Sequence, residues 1–167
     1  MRLFRRRGRD RTTPDTTAGR DPDGLSLPLD RAEDLGRVRD LGLVLEATRA
    51  LPHDAILYLE GSRRSLAPEL LEALHANAAP QPIRVARGTL WPRPATFHIL
   101  LTASNLDRIR EIESRHAAPE ICDHLVVYRD DEVLLTAYDA GDGAVYVAKA
   151  LGEPTIKRMR SILAGDS

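Results

Sequence analysis

Cysteine and aromatic residues are scarce in this sequence. A single cysteine among 167 residues excludes an intrachain disulfide, and a lone thiol suits a reducing compartment. Aromatic side chains make up 4% of the residues, so few are available to stack on nucleic-acid bases. At this length the chain is expected to bury enough surface for one stable domain without covalent cross-links.

Long apolar runs are missing as well. No stretch approaches the roughly 18 apolar residues that a membrane-spanning helix requires. The basic start, residues 1–11, is followed by Thr, Pro, Asp and Gly rather than by the apolar segment of a secretory signal. An Arg-rich start with several threonines leaves a transit peptide open, although Asp10 and Asp15 count against one. We therefore expect a soluble, cytoplasmic protein without a membrane partner.

Lysine is nearly absent, and the positive charge is unevenly distributed. Only Lys149 and Lys157 stand beside 22 arginines, which suggests a GC-rich genome and weakens any functional argument from a single arginine. Residues 1–11 hold six arginines and one aspartate, a net charge of +5. Because the whole chain carries −1, the remaining 156 residues sum to −6.

This basic tail is the candidate contact with nucleic acid. Counterion release would give Arg5, Arg6, Arg7 and Arg9 a salt-sensitive affinity for nucleic acid or for another anionic surface. The acidic body of the chain offers no matching basic platform. The alternatives are a solubilising disordered tail and a mis-assigned start codon.

The pattern of apolar residues divides the chain into a tail and one folded domain. Residues 1–28 are rich in Arg, Asp, Thr, Pro and Gly and are expected to be disordered, and residues 29–167 are expected to form a single domain. Asp30 and Glu33 have the form of a capping box, and apolar residues at helical spacing follow as far as Thr48. Pro68 and Pro154 each suit the first turn of a helix.

Strand signals alternate with the helical ones. Residues 55–59 form a short apolar run typical of a strand buried on both faces, and residues 96–102 predict another strand. Residues 123–129 and 132–138 predict a β-hairpin, and residues 144–148 predict the strand that follows it. This order predicts an α+β domain with a mixed, mainly antiparallel sheet of five or six strands and helices on at least one face.

The densest group of reactive side chains stands at the start of this hairpin. Glu120, Cys122 and His124 alternate along the predicted strand and so would share one face. A two-residue turn would place Asp139 opposite Cys122 and Ala137 opposite His124, so Asp139 would lie close to the other three side chains. His116, at the end of the preceding helix, would reach the same end of the strand.

Three interpretations of this group remain open. Thiolate, imidazole and carboxylate groups are all zinc ligands, so the first is a metal site, although the spacing matches no zinc motif. Its candidate ligands are His116, Glu120, Cys122, His124 and Asp139. In the second, Cys122 is a nucleophile activated by His124, but same-face neighbours on one strand lie about 6.5–7 Å apart, too far for that pair, so His116 would be better placed as the base. In the third, Cys122 is a small buried apolar residue and the others are ordinary polar residues at a strand's start.

Two other segments carry candidate contacts. Trp91 and Arg93 lie in a proline-rich loop, and both residue types are enriched in binding hot spots, so they are candidates for contact with a ligand or partner. The alternative is that Trp91 packs onto the core. Arg63 and Arg64 precede the helix at Pro68, whose N-terminus would favour an anion. The sequence contains neither a Gly-rich phosphate-binding motif nor a G-x-S-x-G motif.

The sequence therefore predicts a small domain that binds a protein or small-molecule partner and is not an enzyme. The basis is that no catalytic group of residues has suitable spacing. We expect neither a metal nor a cofactor. The enzyme alternative is metal- or thiol-dependent hydrolysis by Glu120, Cys122, His124 and Asp139. A further alternative is association with nucleic acid through the arginine-rich tail.

Overall fold

A six-stranded sheet forms the centre of the molecule, which the computed structural model describes for residues 24–80, 82–88 and 93–166. The strands are β1 (Ala32–Val38), β2 (Ile56–Gly61), β3 (Ala95–Leu100), β4 (His124–Arg129), β5 (Glu132–Ala137) and β6 (Gly143–Ala148). Their order across the sheet is β1-β6-β5-β4-β2-β3, and every neighbouring pair is antiparallel. The predicted α+β class is confirmed.

Within the described residues, four helices cover one face of the sheet. They are α1 (Leu41–Ala47), α2 (Pro68–Ala76), α3 (Ala103–Glu113) and α4 (Glu153–Leu163). Their buried stripes meet alternate strand residues, such as Leu57 on β2 and Val127 on β4, in the main hydrophobic core. Pro68 and Pro154 lie in the first turns of α2 and α4, as the sequence predicts. Among the described residues, no helix has the length and apolar character needed to cross a membrane.

In the part of the chain that the structure describes, two extended segments cover the opposite face of the sheet. Leu27 and Val85 are buried there against Tyr58 and Tyr128. The two segments bond to each other, since Leu25 N–H donates to the Arg84 carbonyl and Ala86 N–H donates to the Leu25 carbonyl, both at 2.9 Å. Residues 24–28 of the expected tail are thus part of the fold, whereas residues 1–23 lie outside the described residues. Residues 82–88 are called the covering segment below.

The helix predicted from Asp30 is wrong. Residues 32–38 form β1, which pairs with β6, and α1 begins only at Leu41, where the Asp40 carboxylate accepts a hydrogen bond from Leu43 N–H at 3.2 Å. Gly36 has φ +90°, a conformation outside any right-handed helix. Pairing with β6 satisfies the backbone groups of this segment, so tertiary structure overrides its helical spacing.

A β-bulge in the predicted hairpin changes its register. Arg129 pairs with Glu132 and Tyr128 with Val133, as a two-residue turn requires, but Val127 pairs with Leu135. Leu134 is the extra residue, so every pair beyond it moves by one position. The predicted pairing of His124 with Ala137 is therefore wrong, because Leu125 holds that position.

Candidate anion-binding cleft

The structure separates the residues that the sequence places together at the start of β4. Strand β4 begins at His124, so Glu120 and Cys122 precede it, and the alternation expected for a strand does not reach them. Glu120 ends a short 3-10 helix, Ala118–Glu120. Its carboxylate accepts a hydrogen bond from Ala117 N–H at 2.9 Å and lies 3.4 Å from His116 Nδ1. Glu120 therefore stabilises the preceding turn.

His116 lies between two carboxylates. Its Nε2 is 2.8 Å from Glu69 Oε1 on α2, and its Nδ1 is within reach of Glu120. The hydrogen bond with Glu69 is the main reason that the pKa of His116 is raised, and the same bond lowers the pKa of Glu69. Both ring nitrogens are thus engaged in hydrogen bonds with carboxylates, an arrangement that ties α2 to the turn before β4.

Cys122 is buried, with 1% of its surface exposed. Burial raises the pKa of its thiol, and the negative charge of Asp123 raises it further. The thiol therefore stays protonated at neutral pH, whereas a nucleophile or a metal ligand needs the thiolate. This environment favours the interpretation of Cys122 as a small apolar core residue.

We expect the Cys122 thiol of the native protein to react with a disulfide reagent at least about 100-fold more slowly than glutathione, because reaction requires local unfolding. The measurement is the absorbance of the released thiolate with time. A matched control combines Cys122→Ser with Ser114→Cys, which moves the thiol to an exposed position, and it should react rapidly. A native rate close to that of glutathione would restore Cys122 as a candidate nucleophile.

His124 and Asp139 do come together, but through the backbone of Asp139. Asp139 N–H donates to His124 Nδ1 at 3.0 Å, so the ring proton of a neutral His124 lies on Nε2. The Cys122 and Asp139 side chains line a separate cavity of about 310 Å³, together with Asp123 and Asp142. Among the described residues, no group of three or more His, Cys, Asp or Glu side chains has a geometry that would hold a metal ion.

A different group of residues converges at the end of the sheet where β2 finishes. Gly61, the last residue of β2, pairs with Ala95, the first residue of β3, so the residues just beyond both lie at the same sheet end. The pairing of Glu60 with His124 brings Asp123 there as well. These segments and the covering segment enclose a cleft of about 690 Å³, called the arginine cleft below. Its lining comprises Ser62, Arg63, Arg64, Arg87, Arg93, Pro94, Ala95, Thr96 and Asp123.

The arginine cleft is strongly positive within a slightly acidic protein. Four arginines and one aspartate give its lining a formal charge of +3. None of the four guanidinium groups forms an ion pair with another of the described residues. Other arginines do, such as Arg49, which lies 2.8 Å from Glu46 and 2.6 Å from Asp107. The positive charges of these four arginines repel one another, so the cleft favours the binding of an anion that offsets them.

A buried acidic residue fixes one wall of this cleft. Glu60 has no exposed surface, and its Oε2 accepts hydrogen bonds from the Tyr58 hydroxyl at 2.8 Å and from Gly88 N–H at 3.1 Å. These donors offset the cost of burying a carboxyl group. The bond to Gly88 anchors the covering segment to β2 and thereby positions Arg87, the next residue, at the cleft.

Gly88 approaches the sheet more closely than any other residue type would permit. A Cβ atom at this position would lie 2.3 Å from His124 Cδ2 and 2.6 Å from Nε2. The His124 ring is 8% exposed and is held by its bond to Asp139 N–H, so it has little freedom to move. Glycine therefore allows the covering segment to lie directly on β4.

The sequence predicts some of the residues that line this cleft and misses others. Arg93 is predicted as a ligand contact and lines the cleft, whereas Trp91 lies outside the described residues. Arg63 and Arg64 are predicted near an anion at the start of α2 and line the cleft, but the N–H of Ala67, the residue before α2, donates to the Glu120 carbonyl at 2.8 Å. No sequence signal marks Arg87. The tail residues Arg5, Arg6, Arg7 and Arg9 also lie outside the described residues.

No family model matches the chain, and no curated protein and no solved structure shows significant similarity to it. The chemistry of the arginine cleft is therefore the basis for a functional assignment. Fold alone does not supply one, because unrelated functions share α+β architectures.

Proposed function

We propose that this protein binds a small polyanion, with phosphate as the preferred anionic group, in the arginine cleft. The observation that carries the proposal is that four arginines, without ion pairs among the described residues, line one cleft. A guanidinium group presents a planar fork of N–H donors that matches the oxygens of a phosphate group. The hydroxyls of Ser62 and Thr96 supply further neutral donors.

The size and charge of the arginine cleft narrow the ligand class. A volume of about 690 Å³ falls within the range typical of small-molecule sites, roughly 300–1,000 Å³. Four arginines exceed the need of a single monovalent anion, so a ligand with two or more phosphate groups is favoured. Asp123 adds an acceptor that would bond to a hydroxyl group of the ligand.

Binding is preferred to thiol- or metal-dependent hydrolysis for two reasons. The environment of Cys122 disfavours its thiolate, and Glu120 is engaged with Ala117 and His116. We place the protein in the cytoplasm, because a single cysteine suits a reducing compartment.

Pyrophosphate is expected to bind at least about tenfold more tightly than inorganic phosphate. The second phosphate group adds charge-assisted hydrogen bonds, which contribute roughly 1.5–3 kcal/mol each. The measurement is isothermal titration calorimetry of the full chain at about 0.15 M salt, where long-range attraction between exposed charges is largely screened.

The matched control tests the tail. A full-length variant with Arg5→Gln, Arg6→Gln, Arg7→Gln and Arg9→Gln should bind pyrophosphate as tightly as the wild type. Loss of binding in this variant would assign the affinity to the tail, and absence of binding by the wild type would end the proposal.

A further inference from the structure

A second cavity adjoins the arginine cleft. It has a volume of about 230 Å³ and shares Arg87 and Thr96 with the arginine cleft, so one ligand can occupy both. Its other lining residues are Tyr58, Pro82, Ile83, Arg84, Val85 and His98. We call it the ring cavity because the aromatic residues Tyr58 and His98 are among its lining residues.

Ile83 gives the ring cavity an exposed apolar surface. Its side chain is 38% exposed, and it is one of three large hydrophobic residues that are exposed among those the structure describes. Its backbone N–H donates to the Tyr128 hydroxyl at 3.2 Å, so the position of Ile83 is fixed by the sheet. An exposed apolar side chain on an anchored backbone, in the same cavity as the half-buried ring of His98, favours a flat apolar group of a ligand.

His98 adds one hydrogen-bond donor to this apolar surface. Its Nδ1 lies 3.0 Å from the hydroxyl of the buried Tyr128, and we assign the hydroxyl hydrogen to this bond because Ile83 N–H already donates to the same oxygen. The proton of a neutral His98 therefore lies on Nε2. Burial lowers the pKa of His98, which keeps the ring neutral at physiological pH. The ring cavity thus presents a neutral N–H donor that would bond to a ring nitrogen or carbonyl oxygen.

The geometry points to a nucleoside phosphate as the ligand, with its phosphate groups in the arginine cleft and its base in the ring cavity. This inference rests on the proposed function. A nucleobase combines a flat stacking surface with ring nitrogens and carbonyl oxygens that accept hydrogen bonds. A phenyl ring, as in phosphotyrosine, has no acceptor for the Nε2–H of His98. An inorganic polyphosphate would leave the ring cavity unused.

The test compares diphosphates with and without a nucleoside. Calorimetry of the full chain would measure ADP, GDP, CDP and UDP against pyrophosphate, with phosphotyrosine as the alternative ring-bearing phosphate. We expect at least one nucleoside diphosphate to bind about tenfold more tightly than pyrophosphate, because base stacking contributes on that scale. Ile83→Ala, a change at an exposed side chain, should weaken nucleotide binding about threefold or more and leave pyrophosphate affinity within about twofold. His98→Ala should likewise weaken nucleotide binding more than pyrophosphate binding.

The outcomes separate this inference from the proposed function. Equal affinity for pyrophosphate and all four nucleotides, an equal loss of both affinities in Ile83→Ala, or tighter binding of phosphotyrosine would overturn the inference and leave the anion site in place. Absence of binding by pyrophosphate and by every nucleotide would overturn both.

Discussion

Replacing Arg63 and Arg87 together by alanine is expected to weaken pyrophosphate binding by about 100-fold. A charge-assisted hydrogen bond contributes roughly 1.5–3 kcal/mol, and solvent screening at these partly exposed side chains favours the lower end of that range. Each arginine then accounts for about a tenfold change in the dissociation constant, and the two effects add if the side chains act independently. The measurement is calorimetry of the full-length variant, with circular dichroism to verify its fold.

The matched control removes the same charge elsewhere. Arg31 and Arg158 are exposed, lie outside the arginine cleft and form no ion pair among the described residues. The double variant Arg31→Ala, Arg158→Ala should change pyrophosphate affinity by less than about twofold, because distant exposed charges are screened. A further variant, Arg63→Lys with Arg87→Lys, should show an intermediate loss, since lysine keeps the charge but lacks the planar fork. Equal losses in the Arg63/Arg87 and control variants would mean that only net charge matters and that the cleft is not the site.

Gly88→Ala is expected to destabilise the fold by about 1–3 kcal/mol and to weaken pyrophosphate binding as well. The added Cβ would meet the buried His124 ring at 2.3 Å, and overpacking against a buried side chain has a cost of this order. Moving the covering segment away from β4 would also lengthen the bond from Gly88 N–H to Glu60 and displace Arg87. Chemical denaturation measures the free energy of unfolding, and calorimetry measures the affinity.

A double-mutant cycle identifies the cause. In a His124→Ala background the ring is absent, so the additional cost of Gly88→Ala should fall to a few tenths of a kcal/mol. His124→Ala has its own cost, which the cycle subtracts. If Gly88→Ala lowers the free energy of unfolding equally in both backgrounds, the requirement for glycine does not come from contact with His124.

Local sequence signals predict the elements of the fold that depend on local chemistry. Residues 55–59 are apolar throughout and form most of β2, and Pro68 and Pro154 mark the first turns of α2 and α4. The hairpin of β4 and β5 follows from two strand-forming runs around a polar turn. Residues 30–38 have the apolar spacing of a helix, but most of them form a strand. The reason is their pairing with β6, which lies more than 100 residues away in the chain.

The candidate site is harder to predict, for two physical reasons. The bulge at Leu134 lies in a run of three apolar residues, Val133, Leu134 and Leu135, where alternation gives no information about register. The arginine cleft collects side chains from separate segments, and arginine is so frequent in this chain that no single one stands out. Only the pairing of Gly61 with Ala95 and the anchoring of Gly88 by Glu60 bring Arg63, Arg87 and Arg93 together.

The most direct test of the arginine cleft is nuclear magnetic resonance of the arginine Nε–Hε groups during a pyrophosphate titration of the full chain. If pyrophosphate binds in the arginine cleft, the largest shifts should fall on Arg63, Arg64, Arg87 and Arg93. The same shifts should persist when Arg5, Arg6, Arg7 and Arg9 are replaced by glutamine. Shifts confined to the tail arginines, or an unchanged spectrum at saturating pyrophosphate, would contradict binding in the arginine cleft.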